Sequence, residues 1–206
     1  MLKHEFFARE IAAISDEKMR HFVEWYLNTK VGAWFWESGA SSSGKYHPIF
    51  THGEGGLVRH VRAACMVMEE LMRMSTYSYM PNEFKDYARI AIILHDTCKY
   101  GTQDEENHDC YREHGKLAAD NVAAAWEEYF NRPCSAFLYH AILSHMGQWV
   151  ENHDDRPFTN IDRLVHLSDY IASRSFWDIP KLTEEYEEDL ARWYAEDTTC
   201  LEGLPF

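Results

Sequence analysis

The segment YARIAIILHD, residues 87–96, limits the fold most. From Ala88 to Leu94 it is apolar almost all round a helical projection, and it ends on an adjacent histidine and aspartate. Such a helix must be enclosed by other elements, since its apolar surface is costly to leave in water. The surrounding sequence supplies helical partners. In GLVRHVRAACMVMEELMRM, Leu57, Val61, Ala64, Met68 and Leu71 recur three or four apart, with His60 beside that face. In EHGKLAADNVAAAWEEYF, His114 lies in line with Leu117, Ala118 and Asn121. In PCSAFLYHAILSHMGQW, Leu138, Ala141, Ile142 and His145 share a face. In TNIDRLVHLSDYIASR, Ile161, Leu164, Val165, Ser168 and Ile171 point inward, and Asp169 flanks that stripe.

No run of alternating strand residues competes with this pattern. Two short helices are predicted at residues 3–13 and 16–29, with Ser15 as N-cap of the second. Pro81 starts the helix that carries the apolar segment. Residues 31–56, VGAWFWESGASSSGKYHPIFTHGEGG, read as a long loop, and loops of that length in a compact domain tend to be functional. An acidic helix at about 181–195 is predicted to present Leu182, Tyr186, Leu190 and Trp193 to the body. The expectation is an all-α chain, one domain over 1–206.

Composition narrows the function. The chain has 206 residues and a formal charge of −14 with histidine neutral. That field repels long nucleic acids, and no cluster of Lys or Arg offers them a groove. A small anion is less affected, because a bound metal ion reverses the local field. Five cysteines are scattered at 65, 98, 110, 134 and 200 without a C-x-x-C pair, which fits free thiols in a reducing compartment. Charges interrupt every apolar stretch of the N-terminal sequence, and no apolar run is long enough for a bilayer. A cytoplasmic protein without a membrane partner is expected.

Twelve histidines are many for this length, and histidine is the commonest metal ligand. A carboxylate at the end of an apolar helix is costly unless a partner offsets its desolvation. If His95 and Asp96 share one cation, that cost is met. Alone, the dipeptide reads equally well as a helix-terminal aspartate beside a solvated histidine. His60 on an earlier helix and Asp169 on a later one extend the set to four N/O ligands converging inside a bundle. Imidazole with carboxylate suits Mn, Fe, Zn, Co or Ni better than a dedicated calcium site. Lys99, three residues after Asp96, either presents a point charge to a phosphate or caps its helix. Arg59, Arg62, Arg112, Lys116 and Arg174 are further candidates for phosphate contacts. His47 and His52 either border the pocket or lie solvated in their loop, the latter being the default. His4, His21, His108 and His153 read as surface residues. Trp34, Phe35, Trp36 and Tyr46 either stack on a base or pack in the core, with core favoured for at least two.

The ordered set GGLVRH, AIILHDTCKYG, EHGKLAADNV, AILSHMGQW and LVHLSDYIASR, spanning roughly residues 50–175, resembles the HD superfamily of metal-dependent phosphohydrolases. HPIFTHGEGGLVRHV and LSHMGQ are similar to the HD domains of bacterial 3′–5′ exoribonucleases. EHG, AILSH and SDYI are similar to HD-type diadenosine tetraphosphate hydrolases. The resemblance implies an HD-type helical bundle with a buried site holding one or two divalent metal ions (Mn, Fe, Mg, Co, Ni or Zn). His60, His95, Asp96 and Asp169 would be primary ligands. His114 and His145 fall where two-metal members carry further histidines, with Asp96 bridging; otherwise they line the pocket. His140 competes with His145, and His166 reads as a packed histidine behind the site. The implied catalytic residues are Asp96 and Lys99: Asp96 or a nearby histidine would orient water, and Lys99 would neutralise phosphate oxygens. The implied substrate is a nucleotide or similar small phosphate compound. An exonuclease acting on oligonucleotides and a metal-holding regulatory module without turnover are the alternatives, and the oligomeric state stays open.

Overall fold

A computed structural model describes residues 3–41, 45–102, 112–150 and 152–188. Leu190, Trp193, His108, Cys110 and Cys200 lie outside them. The described residues form helices and turns with no strand: α1 (Ala8–Ala12), α2 (Glu17–Thr29), α3 (Ala33–Glu37), α4 (Gly56–Leu71), α5 (Ser75–Ser78), α6 (Asn82–Leu94), α7 (His114–Phe130), α8 (Ala136–Leu143) and α9 (Asn160–Ala172). A further helical stretch runs over 180–188. No helix among them is long and apolar enough to cross a membrane.

The apolar helix α6 occupies the centre, against α4, α8 and α9. Its residues Ala88, Ile90, Ala91, Ile92, Ile93 and Leu94 are all buried. α4 lies along α9, and α7 pairs with α8. α2 covers the far side of α7, where Phe22 meets Trp126 at 5.0 Å between ring centroids. Leu182 of the last helical stretch is fully buried, and Glu185 pairs with Arg62 of α4.

The N-cap of α2 differs from expectation. Asp16, not Ser15, caps it, accepting from the Met19 amide at 3.0 Å. Ser15 is drawn away by a carboxylate distant in sequence. Its amide and hydroxyl donate to Asp86 of α6 at 2.9 and 2.5 Å, and the Asp16 amide donates to the same side chain at 3.1 Å. At α9 the local sequence suffices: Thr159 and Asp162 form a reciprocal capping box.

The described parts of the predicted loop at 31–56 are more ordered than their composition suggests. They contain α3 and a 3-10 turn, Ile49–Thr51. Phe35 is fully buried, and Trp34 and Trp36 pack against the core, whereas Tyr46 is exposed. The returning chain seals onto the start of α4, where Leu57 donates to Ser38 O at 2.9 Å and Ala40 to Thr51 O at 3.0 Å. Gly56 is required there, because a Cβ at that position would lie 2.1 Å from the Thr51 carbonyl oxygen.

Candidate metal centre

Five separate segments bring their polar side chains to one buried spot. His60 comes from the second turn of α4, His95 and Asp96 from the end of α6, and His114 from the first residue of α7. His145 stands in the turn after α8, and Asp169 in the last turns of α9. His60, His95, Asp96, His114 and His145 are each at most 2 % exposed.

The two oxygens of Asp96 face different partners. Oδ2 lies 3.8 Å from His60 Nε2 and 3.5 Å from His95 Nε2. Asp169 Oδ1 closes that group, 3.0 Å from His60 Nε2 and 3.6 Å from His95 Nε2. Oδ1 of Asp96 lies 3.1 Å from His114 Nε2 and 3.6 Å from His145 Nε2. Those two nitrogens are themselves 3.1 Å apart.

Backbone carbonyls set which nitrogen faces inward. His95 Nδ1 donates to Ile92 O at 2.7 Å, and His145 Nδ1 donates to Ile142 O at 2.8 Å. Each neutral ring so held turns a bare Nε2 to the centre. Burial first, then the neighbouring His95 and His114, lowers the pKa of His145. Burial also acts to lower that of His95, but Asp96 and Asp169 overcome it and hold the ring above its ordinary value. Against their own burial, Asp96 is held well below the usual carboxylate range by Lys99 and His95, and Asp169 by His60 and His95. Lys99 Nζ donates to Asp96 Oδ2 at 2.7 Å.

These residues fit a divalent cation. His95 Nε2 and Asp96 Oδ1 are buried without a hydrogen-bond partner, which in an apolar interior is costly unless a further group satisfies them. Metal–ligand bonds of about 2.0–2.2 Å place adjacent ligand atoms about 3.0–3.4 Å apart, close to the separations here. Three overlapping donor sets have atoms mutually within 4.8 Å: His60–His95–Asp96, His95–His145–Asp169 and Asp96–His114–His145.

The other sequence candidates are distributed differently. His140 sits against Asp162 at 3.1 Å, on the capping box of α9 and outside the centre. His166 supports the turn behind His145, with Nδ1 bonded to the His145 carbonyl at 2.7 Å. Its ring fills the space beside Gly147, where a Cβ would fall 2.1 Å from it and φ is +61°. Arg59 is buried and donates to the carbonyls of Phe50, His52 and Glu54, so it staples the preceding loop. Arg62 pairs with Glu185, Lys116 with Asp120, and Arg174 lies over the Tyr170 ring. Arg112 and Lys116 line a cavity of about 350 Å³ with Trp149, Met146 and Gly115, next to the His114–His145 side. A second cavity of about 280 Å³, between α1, α4 and α6, includes none of the six clustered residues.

One residue is closer to the centre than the sequence suggested. His47 packs edge-on to His60, with ring centroids 5.6 Å apart. Burial first, then the neighbouring His60 and Lys99, push its pKa down to about 3, so the ring is neutral. The only sequence signal was its place in a loop leading into α4, shared with many solvated histidines.

Fold and site together define the class: an all-helical protein with a buried imidazole–carboxylate centre able to hold divalent metal. The family follows from the comparison of sequences. The HD domain matches residues 57–174, more than half of the chain, and the chain belongs to that family, whose members are in general metal-dependent phosphohydrolases. No curated protein and no solved structure matches the chain.

Proposed function

We propose that this chain hydrolyses a phosphate ester or anhydride bond in a nucleotide or similar small phosphate compound. In this reading His60, His95, Asp96 and Asp169 hold one divalent cation, and Asp96, His114 and His145 hold a second. The observation that carries it is the division of Asp96 between two imidazole sets, Oδ2 toward His60 and His95 and Oδ1 toward His114 and His145. Divalent cations so bound acidify water near neutral pH and polarise a phosphoryl oxygen.

The chain's own groups account for the rest. Asp96, ionised and fixed by its neighbours, orients an attacking water by accepting its hydrogen bond. Lys99 stands 2.7 Å from Asp96 and offers a point charge to non-bridging phosphate oxygens. The Ile92 and Ile142 carbonyls keep His95 and His145 in the tautomer that presents Nε2. The charge of −14 favours a small substrate over a long polyanion.

The test is a product-resolved screen of the purified protein, stripped with chelator and reloaded with Mn, Mg, Co, Ni or Zn. Metal-dependent turnover of nucleotides is expected. Orthophosphate as product marks a monoester cut, whereas pyrophosphate or tripolyphosphate marks a cut nearer the sugar. Shortening of a labelled oligonucleotide, with small nucleotides untouched, replaces this substrate class by the exonuclease. Tight metal binding with no turnover on any substrate favours the regulatory module. His95→Ala and Asp96→Ala should each abolish turnover with helical circular dichroism retained, and undiminished turnover in either refutes the assignment.

A further inference from the structure

We infer that His47 is a substrate-contacting residue, donating a hydrogen bond from its imidazole to a phosphoryl oxygen held at the metal centre. The inference rests on the proposed function for the nature of the substrate, and on the geometry of the loop for the rest.

His47 belongs to none of the donor sets that define the centre. Its ring nevertheless meets His60 edge-on at 5.6 Å, and it lies within electrostatic reach of Asp96, Lys99 and Asp169. Its Nδ1 is buried and has no hydrogen-bond partner. Buried polar atoms are rarely left so, and one beside a reaction site is explained by a ligand atom. An imidazole, whatever its charge, has at least one N–H to give.

The loop is built to hold that ring in place. Pro48 disfavours helical backbone at His47. The Thr51 amide and hydroxyl both donate to the Pro48 carbonyl, at 3.1 and 2.7 Å. Arg59, one residue before His60, donates to Phe50 O at 2.5 Å, His52 O at 3.0 Å and Glu54 O at 2.8 Å. A buried guanidinium that binds three carbonyls of one loop ties the loop rigidly to the helix bearing His60. Such preorganisation matches what a phosphate-positioning contact needs, since its ordering is completed before substrate arrives. Together Lys99 and His47 provide a charge and a hydrogen-bond donor for one phosphate group.

The experiment uses metal-loaded full-length protein, with inorganic phosphate as the probe in titration calorimetry and metal content measured on the same samples. In His47→Ala, phosphate affinity should fall roughly tenfold, the scale of one hydrogen bond to a charged group, with metal stoichiometry unchanged. His47→Asn or His47→Gln, whose amides stand near Nδ1 and Nε2, should recover part of the loss. Unchanged phosphate affinity in His47→Ala overturns the inference, as does loss of metal, which makes His47 a ligand. Failure of both amides to recover any affinity overturns it too, because the ring then serves only to fill space. Wild-type protein that binds no phosphate also refutes it. Wild-type protein that turns over no nucleotide, yet binds phosphate in a His47-dependent way, defeats the proposed function and leaves this inference standing. Turnover that His47→Ala leaves unchanged, with phosphate affinity also unchanged, does the reverse.

Discussion

Asp96 is the residue on which the centre turns, and Lys99 is its closest cationic neighbour. The ammonium is 2.7 Å from Oδ2, the same oxygen that faces His60 and His95. A cation bound between those groups competes with Lys99 for that oxygen, whereas an incoming phosphate attracts the lysine away from it. Lys99→Met should therefore raise metal affinity, measured by chelator competition, while weakening inorganic phosphate as a competitive inhibitor by about tenfold. Weaker metal binding with unaltered phosphate inhibition would assign Lys99 a purely structural pairing. At this scale the sequence was informative wherever a residue type is costly to bury without a purpose. His60, His95, Asp96, His114, His145 and Asp169 all sit on or beside apolar stripes, and the structure brings all six together. His47 was not legible, because a loop carries no periodicity from which side-chain direction can be read. Nor was the fate of Arg59, since its three carbonyl partners come from a loop whose path the sequence does not disclose.

Helices were legible where a single element contains its own reasons to form. The apolar segment of α6 and the stripes of α4 and α9 are local patterns, and each appears where it was expected. The start of α2 was misplaced by one residue because its deciding contact is with α6, some seventy positions away. Asp86 of α6, with its side chain 2 % exposed, accepts from the Ser15 amide and hydroxyl and the Asp16 amide, and Arg89 sits at 3.3 Å from it. That one carboxylate ties the N-terminal helices to the central helix. Asp86→Ala strands two backbone donors and a hydroxyl and should cost about 3 kcal/mol, read as a lower urea midpoint at unchanged slope. Ser15→Ala removes one donor and should cost only about 1 kcal/mol. Equal losses from the two substitutions would mean that Asp86 acts through Arg89 instead.

Across the whole molecule, the tight aromatic and aliphatic packing that encloses the centre also buries groups that ionise at alkaline pH. Burial pushes the Tyr26 phenol far above its ordinary value of 10.0 and the Cys65 thiol well above 9.0. Burial also raises Cys134 to about 11. Tyr139, by burial and its bond to Asp120, is raised to about 12. In each case the folded protein holds the proton more tightly than the unfolded chain. Stability from these groups is complete below the unfolded values, from about pH 9 for the thiols and about 10 for the phenols, and is lost as pH climbs through the folded ones. From these groups, metal-free protein should therefore lose urea midpoint steadily as pH climbs from about 9 toward 12. Phenolate absorbance supplies the independent check. Tyr26 belongs to the core that packs α2 against the rest, so it should ionise only together with loss of helical signal. A midpoint that stays level to pH 11, or complete tyrosine ionisation with the helices intact, would show that this interior admits water far more freely than its packing implies.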